Sequence, residues 1–178
     1  VTSYQWAGPE DGKKVVLVHG LTSPSFIWEN QFHALANAGY RVLRYDLYGR
    51  GYSDRPDLRY TRKLYRQQLR NLLVSQGITE PVHLAGLSMW GGIAVDFTRN
   101  HPENIDKLAL IAPAGLRSDM PLSYHLATAP YIGDITLELF GDWLIMQSID
   151  ESAAPDDPKK QKQLEAVYRQ QMQFPGYK

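Results

Sequence analysis

Residues Pro81 to Gly92 read Pro-Val-His-Leu-Ala-Gly-Leu-Ser-Met-Trp-Gly-Gly, and the reading of the chain starts there. Pro81 opens an apolar run of strand length (Val82, Leu84, Ala85). Gly86 stands two residues before a serine, and Ile93, Ala94 and Phe97 recur at helical spacing directly afterwards. The pattern places Ser88 where a strand becomes a helix. A sharp turn at such a junction holds a serine side chain out at the carboxyl edge of a sheet. The first free N–H groups of the following helix then point toward any negative charge that builds up beside it. The backbone of the turn is crowded, which is why small residues surround it.

On either side of this stretch the apolar residues form continuous runs rather than alternating ones. Val15-Val16-Leu17-Val18 precedes His19-Gly20, Tyr40 to Asp46 forms a second strand, and Leu108-Ala109-Leu110-Ile111, within Lys107 to Ala112, forms another. Between them lie helical patterns. Trp28, Phe32, Leu35 and Ala36 mark a helix between Ser25 and Ala38, stopped by Gly39. Leu64, Leu69, Leu72 and Leu73 form the apolar stripe of Thr61 to Gln76, closed by Gly77. The basic residues from Arg62 to Arg70 read as a solvated face. The helix after Ser88 ends at Asn100-His101-Pro102, with His101 a surface or capping group. Tyr4 and Trp6 fit the end of an edge strand, followed by a turn over Gly8 to Gly12. Strands alternating with helices in this order predict an α/β fold, a mostly parallel sheet with right-handed crossover helices on both faces. Sites in such sheets lie at the carboxyl ends of the strands, where both His19-Gly20 and Ser88 fall.

Composition narrows the classes. The chain has 178 residues, 43% hydrophobic and 21% charged, as ordinary globular proteins do. Lys plus Arg equals Asp plus Glu at 19 each, so no net field recruits nucleic acid or an anionic membrane. The expected partner is a neutral or apolar small molecule. With no cysteine there are no disulfides or thiolate metal sites, a fact that does not decide between cytoplasm and exterior. No apolar run is long enough for a membrane span.

Three segments together carry a resemblance: His19-Gly20, the loop Asp46-x-x-Gly49-x-Gly51-x-Ser53, and Gly86-x-Ser88-x-Trp90. In this order, within Val15 to Gly115, they resemble the α/β-hydrolase family. The family's turn is Gly-x-Ser-x-Gly. Here Trp90 stands at the second glycine, as a substitution and not an extra residue, with Gly91 and Gly92 behind it. The resemblance implies that Ser88 is a nucleophile and that the backbone N–H groups of Leu21 and Met89 form an oxyanion hole. Catalysis would pass through an acyl-serine. His19 and Trp90 are expected beside the substrate, although His19-Gly20 also reads as a simple chain reversal and Trp90 as a residue that displaces its neighbours. The Asp46 to Ser53 loop reads as structural, its Asp46 and Ser53 bonding local backbone. No metal or organic cofactor is implied.

Beyond Pro113-Ala114-Gly115 the pattern becomes helical. The resemblance then divides the chain into residues 1–115, the N-terminal part of a hydrolase core, and 116–178, a helical cap. Tyr124, Tyr131, Phe140, Trp143 and Met146 would line an apolar pocket or form the cap's own core, and a helix starts at Asp157-Pro158 with the stripe Leu164, Val167, Tyr168 and Met172. A serine needs a base, which in this family is a histidine oriented by an acid, both following the serine. Downstream of Ser88 the only histidines are His101 and His125, neither in a fitting context, and no histidine follows Asp142, so the catalytic histidine and acid are not identified in this chain. The expectation is that the chain stops inside the cap and that the last core strands, about 100 residues, lie on a second chain or in a missing C-terminal part. An ester hydrolase is the reading adopted. A carbon–carbon bond hydrolase and a proline aminopeptidase share the serine, and a non-catalytic binding or structural protein is the alternative of another class.

Overall fold

A computed structural model of the chain describes residues 1–21 and 23–113, together with Lys162, Ala166 and Arg169, which are helical and exposed. The chain divides into two compact units, Val1–Leu116 and Arg117–Lys178. The cap residues named above, His125, Asp142 and the stripe from Leu164 to Met172 lie outside the described residues.

The apolar runs form the strands. They are β1 (Tyr4–Ala7), β2 (Lys14–Val18), β3 (Arg41–Tyr45), β4 (Val82–Leu87) and β5 (Ile105–Ile111), in the spatial order β1-β3-β2-β4-β5. β1 runs antiparallel to β3, pairing Tyr4 with Tyr45, and every other neighbouring pair is parallel. The helices between them are α1 (Glu29–Asn37), α2 (Arg62–Ser75) and α3 (Gly91–Asn100). β2 leads to its neighbour β3, and the chain then crosses back over β2 to β4. The direction of winding therefore reverses at β2, which opens a crevice beyond the carboxyl ends of β2 and β4.

Because strand side chains alternate between faces, the sheet has two cores. Val16, Val18, Leu43, Tyr45, Val82 and Leu84 face α2 and α3, packing on Tyr65, Leu69, Leu72, Leu73, Ile93, Ala94 and Phe97. On the opposite face Val15, Leu17, Val42 and Ala85 pack on Trp28 and Phe32 at α1. This second face carries a groove of about 430 Å³ where β2, β4 and β5 run past α1, lined by residues such as Leu17, Trp28, Ala85, Leu108 and Ile111.

Local chemistry sets the helix ends. The Thr61 hydroxyl accepts the Leu64 N–H at 3.2 Å and caps α2, and Gly77, with a φ of 66°, terminates it. Arg66 on α2 reaches Asp96 on α3 at 2.6 Å, with both side chains about a quarter exposed, so the basic face read as solvated is partly used to join two helices. Arg44 binds α1 to the sheet: it donates to Glu29 at 2.5 Å and to Gln5 at 2.8 Å and stacks over Phe32. No helix among the described residues is long and apolar enough to cross a membrane.

Candidate active site

At the end of β4 the backbone passes through three conformations in four residues. Leu87 is extended (φ −102°, ψ 135°), Ser88 is left-handed (φ 56°) and Trp90 is right-handed helical (φ −84°, ψ −3°). Ser88 to Trp90 form one 3₁₀ turn that runs directly into α3. A non-glycine residue with positive φ is uncommon and costs about 1–3 kcal/mol, which the surrounding packing must hold in place. That packing is tight. A Cβ added at Gly86 would lie 2.8 Å from the Ala94 Cβ and 3.0 Å from the Gly91 Cα, so β4 and α3 touch backbone to backbone behind Ser88. Gly91 packs in the same way against Pro113 at the end of β5. Trp90 stands where the glycine was expected, and Gly91, one residue later, lies against Gly86.

The indole of Trp90 packs against the core on the α2 side, its ring 4.5 Å from the Tyr65 ring in an edge-to-face arrangement. Its Nε1 is buried without a hydrogen-bond partner. Trp90 is accommodated through α2 and leaves the β4–α3 contact intact.

The turn after β2 lies beside Ser88. A Cβ at Gly20 would sit 3.7 Å from the Ser88 Cβ. Leu21, about one third exposed, follows at the surface, and its carbonyl accepts a hydrogen bond from Arg50 Nε at 3.0 Å. Met89 is half-buried. His19 is fully buried: its Nε2 accepts the Leu47 N–H at 3.0 Å and its Nδ1 lies 2.6 Å from the Gly20 carbonyl. Burial holds its pKa at about 4, well below the usual 6.5, so the ring is neutral at physiological pH.

The loop after β3 supports the segment after β2. The Asp46 carboxylate accepts the Ser25 N–H at 2.8 Å and the Tyr52 N–H at 3.0 Å, while the Ser53 hydroxyl donates to the Asp46 carbonyl at 2.5 Å. Gly51, with a φ of 50°, faces that carboxylate, and any Cβ there would collide with it. This is the structural role read from the sequence. Gln68, which the sequence did not single out, is buried on α2 and binds the same loop, donating to the Asp46 carbonyl and accepting the Tyr48 N–H, both at 3.0 Å.

The other described histidines are paired elsewhere. His33 pairs with Glu29 on exposed α1, His83 lies 3.4 Å from Asp106 at the start of β4, and His101 follows α3 beside Glu103. A larger cleft, about 650 Å³, is lined by Asp11, Lys13, Lys14, Glu80, Glu103 and Asp106 among others. It lies at the amino ends of β2, β4 and β5, opposite to Ser88, and its charges pair with one another (Lys13 with Asp106, Lys14 with Glu80). Among the described residues no group of three or more His, Asp or Glu is placed to hold a metal ion.

A parallel sheet whose winding reverses at β2, with a strained serine at the end of β4, defines an α/β hydrolase. The sequence profile of the alpha/beta hydrolase family matches residues 15–177, and the chain belongs to that family. It is 34% identical over 119 residues to an uncharacterized protein of Mycobacterium tuberculosis, a match covering 67% of this chain and 34% of the relative. A 2-hydroxy-6-oxo-6-phenylhexa-2,4-dienoate hydrolase of Comamonas testosteroni is 32% identical over 134 residues, 73% of this chain and 44% of that protein. Among solved structures the enol-lactonase of Burkholderia xenovorans superposes with a TM-score of 0.79 at 22% identity, covering 99% of this chain and 66% of the enol-lactonase. The chain thus matches about a third to two thirds of the length of these proteins.

Proposed function

We propose that the chain carries the nucleophile half of a serine hydrolase that cleaves a carboxylic ester through an acyl-serine. Ser88 is the nucleophile, and the backbone N–H groups of Leu21 and Met89 receive the negative charge on the carbonyl oxygen of each tetrahedral intermediate. The observation that supports this reading is the left-handed Ser88, held at the end of β4 and beside Gly20. The substrate's acyl group passes to the Ser88 oxygen as the alcohol leaves, and water then releases the acid. The base that takes the serine proton is not among the described histidines, since His19 has both ring nitrogens engaged. We assign the base, and the acid that orients it, to polypeptide outside residues 1–113.

The named substrate of the Comamonas relative carries no ester bond, which supports a second reading, hydrolysis of a carbon–carbon bond by the same serine. Hydrolysis of p-nitrophenyl butyrate and of a 6-oxo-dienoate by the native chain and by Ser88→Ala distinguishes the two. Serine-dependent turnover of the first supports the esterase and of the second alone supports carbon–carbon cleavage. Turnover of neither, with the serine intact and the remaining fold restored, supports a non-catalytic binding protein.

A further inference from the structure

Gly20 and Leu21 share one peptide unit. The carbonyl of that unit belongs to Gly20 and its N–H to Leu21. A trans peptide is planar, with the two groups pointing in opposite directions, and there are no cis peptide bonds among the described residues. Whatever fixes the Gly20 carbonyl therefore also fixes the direction of the Leu21 N–H.

His19 is placed to do this. Its Nε2 accepts the Leu47 N–H at 3.0 Å, which requires that nitrogen to be unprotonated and puts the ring hydrogen on Nδ1. Nδ1–H then donates to the Gly20 carbonyl at 2.6 Å, and the Ser23 backbone is a further, weaker partner of the ring. The ring is enclosed by protein, so water cannot replace either bond. The titratable and charged groups that face it are Asp46 and Arg50, and burial outweighs both in keeping the ring neutral. On its other side Leu21 is held through its own carbonyl by Arg50 Nε at 3.0 Å. Were the peptide to flip, a carbonyl oxygen would replace the N–H and would repel a developing oxyanion.

We propose that His19 is a positioning residue: by binding the Gly20 carbonyl it holds the Leu21 N–H toward the oxyanion formed at Ser88. This rests on the hydrolase reading above. It also explains why a histidine remote from any proton-transfer role is buried one residue before the turn. His19 takes no proton from substrate or serine, and its contribution is a fixed peptide orientation that costs nothing to reorganise during reaction.

The two bonds can be divided by substitution. His19→Asn retains a donor near the Nδ1 position and loses the acceptor for Leu47, whereas His19→Gln retains an acceptor near Nε2 and loses the donor to Gly20. The full chain and both variants are treated with a fluorophosphonate, labelling of Ser88 is timed, and the thermal midpoint and the Leu21 amide resonance are recorded for each. The expected result is labelling about 10- to 100-fold slower in His19→Gln than in His19→Asn at matched folded fraction. The Leu21 amide should keep its native shift in His19→Asn and move in His19→Gln. Equal labelling rates, or rates that follow the thermal midpoints alone, would overturn the proposal. If the native chain is not labelled even with the remaining core strands supplied, the hydrolase reading fails separately, and the Leu21 resonance still decides: an equal shift in both variants overturns the role assigned to His19.

Discussion

Ser88 adopts a conformation that glycine accepts without penalty and serine does not. Ser88→Gly should therefore be more stable than Ser88→Ala by about 1 kcal/mol in urea titration, since both remove the hydroxyl but only one relieves the backbone. Equal stabilities would mean the turn is relaxed. His19 gives a pH dependence of defined sign. Its folded pKa of about 4 lies below the unfolded value of about 6.5, so the folded state disfavours the proton. Its full contribution is present above pH 6.5 and is lost as pH falls toward 4, by about 3 kcal/mol over that range. His19→Gln should flatten this part of the stability curve by up to one proton, about 1.4 kcal/mol per pH unit, in denaturant titrations at pH 6.5, 5.5 and 4.5. An unchanged slope would show that another group titrates there.

At the scale of elements, the β4–α3 contact through Gly86 is what keeps the serine turn in place. Gly86→Ala is expected to destabilise the fold by about 1–3 kcal/mol, because the nearest atoms are the Ala94 Cβ and the Gly91 backbone and neither can rotate away. Its effect on Ser88 reactivity should exceed its effect on stability, and a fully reactive, destabilised variant would contradict the link between contact and turn. The strands and α2 were legible in the sequence because continuous apolar runs, a leucine stripe and a closing glycine are local signals. Elements that depend on distant partners were less so. The single helix read between Ser25 and Ala38 is a 3₁₀ turn over Ser25–Trp28 followed by α1. The Ser25 N–H is taken by Asp46, 21 residues away, and that bond shapes the start. β5 begins at Ile105, two residues before the strand read from Lys107, because Ile105 pairs with Val82 across a register shift. The burial of His19 and the packing of Trp90 on Tyr65 follow from β3 and α2, which no pattern around residues 19 or 90 encodes.

At the scale of the whole molecule, exposed apolar residues are scattered over the described surface, and two of them lie on β5. β5 pairs only with β4 among the described strands, and Leu110 and Ile111 are 39% and 44% exposed. A sheet edge of this kind invites pairing with another chain. Leu110→Lys together with Ile111→Lys should reduce self-association in sedimentation velocity while changing stability by about 0.5 kcal/mol per site or less. Association that is indifferent to these changes would place the contact elsewhere. Whether Ser88 is a presented nucleophile is tested most directly by the intact mass of the native chain after exposure to a fluorophosphonate. One phosphonyl adduct, located on Ser88 and lost in Ser88→Ala, is the predicted result. An unmodified mass with the remaining core strands supplied, or an adduct that persists in Ser88→Ala, would contradict it.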